Sequence, residues 1–201
     1  MMTTLRIVAS SIAAARSILF SVLIIGCQSA ISTENITQMS DQQIQLEELF
    51  QQLKSTESRA EIELLQADIW QVWLDTGHPE SNQWMAQGLT AMSDQEYDEA
   101  IDLFTQIIET QPHYAEGWNK RATAYYLRGN YKASIDDINH TLSLEARHFG
   151  ALSGLVSIYR TIGDDRGALK TLERLAAIIP ADETIQDQIQ QVRAEMGIRN
   201  I

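Results

Sequence analysis

The 201-residue chain has one cysteine, three prolines and four histidines, and its 15 basic residues are outnumbered by 27 acids. Each shortage closes a class of function. A lone thiol, Cys27, leaves nothing for an internal disulfide or a cysteine-rich metal site. His78, His113, His140 and His148 show no spacing that sets two imidazoles on one helix face, so no metal is expected. Basic residues are scarcest between Glu34 and Glu116, where 17 acids meet only Lys54 and Arg59; from Gly117 to Ile201, 11 bases meet 10 acids. That balance argues against nucleic acid as a partner, because phosphate must be neutralised by a basic face. It leaves a solvated acidic half, or one that attracts basic partners. The apolar run Ile18–Ile25 is too short for a bilayer span, which takes about 20 residues. Nucleophile elbow, phosphate loop, dinucleotide fingerprint and metal helix are all missing, so the chain reads as non-enzymatic and without a cofactor.

What the chain does have is an internal copy. Residues 81–182 repeat three times with a period of 34, as units 81–114, 115–148 and 149–182. Large residues share columns: Trp84, Trp118 and Leu152; then Phe104, Ile138 and Leu172. Small residues recur at Gly88 and Ala122, and at Ala100, Ser134 and Ala168, where two helices approach to about 8–10 Å. Gly129 and Gly163 stand where a helix ends and the chain reverses, which favours positive φ. Pro112 and Pro180 stop the second helix of their units, while Ala146 takes that column in the middle one and predicts a softer break.

These columns resemble tetratricopeptide repeats over about half of the chain. The resemblance implies an all-α fold, a right-handed superhelical stack of helix hairpins, in which the first helix of each unit lines a concave face. Two runs, Glu116–Thr123 and Arg147–Gly154, are also similar to a bacterial group of repeat proteins with no agreed activity. Helical spacing from the packing tryptophans puts Met85, Leu89, Asn119, Lys120, Thr123, Tyr126, Gly150, Ser153, Gly154, Ser157 and Arg160 on the inner face. Lys120 and Arg160 suit a peptide carboxylate, Asn119 a peptide backbone, and Met85 with Tyr126 an apolar contact. Against this, charged side chains are more often simply solvated, and Gly150 with Gly154 serves close helix packing as well as a partner backbone. Trp70, Trp73, Trp84 and Trp118 read as core.

Before the repeats, residues 1–27 have the make-up of an export leader, with Arg6 and Arg16 ahead of the apolar run. Ile24-Ile25-Gly26-Cys27 is similar to a bacterial lipobox, which implies lipidation of Cys27 and a membrane anchor. Gln28 after it resembles the sorting of lipoproteins to the outer membrane, facing the periplasm; a secreted periplasmic form or an organelle-targeted one are the alternatives. Residues 28–43 read as a flexible tether and 44–80 as a helix pair in phase with the repeats, a degenerate unit. A last helix within 183–201 caps the stack through Ile185, Ile189 and Val192. The expected function is a protein-interaction scaffold of the bacterial envelope that binds a partner protein or peptide in the groove. A small-ligand binder or hydrolase using the groove as a pocket, and a self-associating homo-oligomer, are the rival readings.

Overall fold

The computed structural model describes residues 40–197, so the leader, Cys27 and most of the tether lie outside the described residues. The described residues form nine α-helices and no strand: α1 (Asp41–Ser55), α2 (Arg59–Leu74), α3 (Pro79–Ser93), α4 (Tyr97–Thr110), α5 (Ala115–Leu127), α6 (Tyr131–Leu144), α7 (Phe149–Ile162), α8 (Asp165–Ile178) and α9 (Glu183–Glu195). Within each repeat the two helices pack as a hairpin, α3 on α4, α5 on α6 and α7 on α8, and each hairpin packs on the next. The column residues do this. Phe104, Ile138 and Leu172 are all buried at the hairpin centres, and the small column at Ala100, Ser134 and Ala168 is buried beside them. Gly88 is a tight point of the first hairpin, because a Cβ built there would sit 2.5 Å from the Phe104 ring.

The turns repeat as well. Gly129 and Gly163 take φ of 83° and 78°, and Gln95, in the same column of the first repeat, takes φ 64° although it is not glycine. A side chain in that conformation costs roughly 1–2 kcal/mol. The missing proline does not soften the middle repeat. α6 ends at Leu144, in the same column as Thr110 and Ile178. The turn is closed instead by Glu145, whose amide donates to the Thr141 carbonyl, whose own carbonyl accepts from the His148 amide, and whose carboxylate accepts from the Arg147 amide.

Two expectations change at the amino-terminal side. The tether stops short of residue 43, because Ser40 and Gln43 form a reciprocal capping box that starts α1 at Asp41. More important, the α1–α2 pair is not a repeat in the stack. α2 does not pack along α3 as α4 packs along α5; the pair folds back on the far repeats instead. Phe50, Leu53, Ile62, Leu65, Ile69 and Trp73 share one core with Phe149, Leu152 and Val156 of α7, Leu172 and Leu175 of α8, and Ile185, Ile189 and Val192 of α9. Trp70 stands in the column of Phe104, Ile138 and Leu172, yet its indole is seated on α7 over Gly150, where a Cβ would lie 2.5 Å from the ring. α9 does cap the carboxyl-terminal end, through the three residues the sequence offers.

Candidate partner-binding surface

α5 and α7 supply most of the concave face, and α2 lies across their first turns. A Cβ on Gly150 would meet the Trp70 ring at 2.5 Å, so glycine is what lets that indole in. The Lys120 ammonium sits over the same ring, 4.7 Å from its centroid. Trp73 stacks on the His148 imidazole with centroids 4.0 Å apart and planes 7° from parallel. Its carbonyl accepts a 2.6 Å hydrogen bond from the Tyr114 hydroxyl. Burial, with the nearby charges of Glu116 and Asp75, pushes the Tyr114 phenol far above its ordinary range and keeps it a donor. On the other side of the hairpin, Arg147 pairs with Glu47 at 2.7 Å and lies 4.1 Å from the centre of the Phe50 ring.

Beneath α2 is a buried polar cluster built around Glu116. Its side chain is fully buried. One carboxylate oxygen accepts from the Asn119 amide at 2.9 Å and from His148 Nε2 at 2.9 Å. The other oxygen has the Lys120 ammonium 2.9 Å away as its charge partner, although it lacks a well-aligned hydrogen bond. His148 Nδ1 accepts the Ala151 amide at the start of α7, so the ring proton is on Nε2 and points at Glu116. Glu116 therefore occupies Lys120, which the sequence offers to a partner's carboxylate, and Asn119, which it offers to a partner's backbone.

The inner-face residues thus divide into two groups. Met85 is 3% exposed and belongs to the core with Phe104 and Ile107, so it gives no apolar contact to a partner. Asn119 and Lys120 are spent on Glu116, and Arg160 pairs with Asp165 and with Glu195 of α9. The hydrogen bonds that Arg160 donates, to Glu195 above all and to Asp165, strengthen the hold of its guanidinium on the proton. By contrast, Leu89, Thr123 and Ser157 are exposed and Tyr126 is half-buried, along with exposed Ser153. The hydroxyls of Thr123, Ser153 and Ser157 each donate to the carbonyl four residues earlier, which leaves their oxygens outward as acceptors. These residues lie in the middle and last turns of their helices, beyond the part α2 covers. The sequence reading missed Glu116, Trp70 and His148; the signal available was an acid three and four residues before Asn119 and Lys120, on the same helix face.

Size decides whether the hairpin can be a detachable lid. Six large apolar side chains buried at about 1.5–3 kcal/mol each rival the whole stability of an ordinary domain. The hairpin is thus part of the domain's core, and it covers the first turns of the concave face.

A tetratricopeptide repeat family model matches residues 151–185. A TPR repeat-containing protein of Rhizobium etli is 37% identical over 152 residues, which cover 76% of this chain and 74% of the relative. The chain belongs to the tetratricopeptide-repeat proteins. The TPR fold is matched by the first TPR of Spaghetti (RPAP3), solved with the HSP90 peptide SRMEEVD, at 19% identity and a TM-score of 0.55 over 59% of this chain and 94% of that one. It is also matched by the Sgt2 TPR domain from Aspergillus fumigatus, at 26% identity and a TM-score of 0.50 over 62% and 87%. In this TPR protein the inner face is narrower than three open repeats would give, because the chain's own α2 fills its lower part.

Proposed function

We propose that this TPR protein is a non-enzymatic interaction module of the bacterial envelope, tethered through Cys27, which holds a partner polypeptide on the open part of its concave face. The observation that carries this reading is the run of accessible side chains, Leu89, Thr123, Tyr126 and Ser157, over three successive first helices fixed on a buried frame. The HSP90 peptide in the Spaghetti structure supports peptide binding by the fold. Its acidic sequence has no counterpart here, since Lys120 and Arg160 already hold Glu116, Asp165 and Glu195. The groove suits an apolar or hydroxyl-binding segment with few carboxylates. The envelope location rests on the leader and the lipobox-like residues.

Photo-crosslinking groups placed in cells at Thr123 and Ser157 should capture a discrete partner that the same group at exposed Lys170, on α8, does not. Identical adducts at all three positions would sink the groove assignment. Mass spectrometry of the mature amino terminus should find lipid on Cys27, and cleavage elsewhere would remove the anchor.

A further inference from the structure

The internal repeat allows the two ends of each hairpin to be compared column by column. In the second repeat, α5 receives the preceding helix, α4, on one face. There Gly117 lies against Ile107 and Ile108, Arg121 donates to Thr105 at 3.0 Å, and Arg128 pairs with Asp98 at 2.9 Å. In the third repeat the same face of α7 carries Ala151, Leu155 and Tyr159 against Ile135 and Ile138 of α6. The equivalent columns of α3 are Gln83, Gln87, Ala91 and Asp94; Ala91 is buried, and among the described residues no preceding helix lies along Gln83, Gln87 and Asp94, since α2 has folded away onto α7. What remains is an open hollow of about 420 Å³ whose lining includes Ala86, Thr90 and Ala91 together with Asp94, Glu96 and Glu99.

We propose that this face of α3 is a docking seat for a basic helix of a partner protein, entering where the second helix of a preceding repeat would lie. Small residues at Ala86, Thr90 and Ala91 permit close helix approach. Charge selects the occupant. Where α5 offers Arg128 to Asp98 of α4, the same column of α3 offers Asp94, and Asp94, Glu96 and Glu99 have no ion-pair partner among the described residues. A helix with Lys or Arg facing these three carboxylates completes the pattern with its signs reversed. A second copy presenting this same face would oppose acid with acid. The seat is separate from the concave face, so either assignment can fail without the other.

The probes are an 18-residue helical peptide of alanine, leucine and lysine with one leucine stripe, and its glutamate counterpart, followed by fluorescence anisotropy against the protein. The lysine peptide should bind, and Asp94→Lys with Glu99→Lys should weaken it by about tenfold at low salt. Thr90→Trp, which fills the hollow with an exposed side chain, should weaken it comparably. Glu48→Lys with Asp187→Lys, the same change of charge at remote exposed sites, should leave the affinity within about twofold. Melting curves unchanged by all three variants keep folding out of the comparison. Equal losses in the near and remote charge variants, equal binding of the glutamate peptide, or no binding of the lysine peptide would each overturn the proposal. So would a dimer that Asp94→Lys abolishes, which would give the face to a second copy.

Discussion

The α1–α2 hairpin and the three repeat hairpins are alike as helix pairs and differ in where they come to rest. A repeat hairpin places Gly88 or Ala122 opposite a large residue and so accepts its neighbour in register. α2 instead brings the Trp70 indole onto α7 at Gly150, where a Cβ would lie 2.5 Å from the ring. The placement of a hairpin in a solenoid is thus set by the smallest residues at the contact more than by its hydrophobic spacing, which all four share.

Substitutions can break that contrast from either side. The largest effect is expected at Trp73→Ala, which removes the stack on His148 and should cost about 3–5 kcal/mol in urea unfolding; a loss under about 1 kcal/mol would mean that the hairpin is not part of the core. Glu116→Leu comes next. It leaves His148 and Asn119 without their acceptor beneath α2, for about 3 kcal/mol, and a neutral outcome would show that the polar cluster is dispensable.

A single methyl then tests the two regions directly. Gly88→Ala drives a carbon into the buried Phe104 ring and should cost about 2 kcal/mol, whereas Gly150→Ala pushes on the half-buried Trp70, which can yield, for about 1 kcal/mol or less. The reverse order would place the tighter packing at the hairpin seat. The smallest effect concerns the turns. Gln95→Gly should raise stability by a few tenths of a kcal/mol, while Gly129→Gln at the equivalent turn should lower it by about 1 kcal/mol, as read from thermal midpoints.

The repeats were legible because their information is local and given three times: a column of small residues at Ala100, Ser134 and Ala168 needs no distant partner to be recognised. The hairpin's destination was hidden because it depends on residues far apart in the chain, such as Glu47 with Arg147 and Trp70 with Gly150. The same holds for the site. Leu89, Thr123 and Ser157 are exposed and Tyr126 is half-buried, which fits the side of the helix that spacing gives them. That spacing gives no sign that Lys120 is already paired with Glu116, or Arg160 with Glu195. Spacing fixes which way a side chain points, and only the folded chain fixes what it meets first.

His148 accepts from the Ala151 amide through one ring nitrogen and faces Glu116 with the other while Trp73 lies flat against it. An imidazole proton held in this way is shielded from exchange with water and sits in the ring current of the indole. It should give a resolved NMR resonance, a built-in gauge of whether the first two helices are seated that needs no label and no knowledge of the partner.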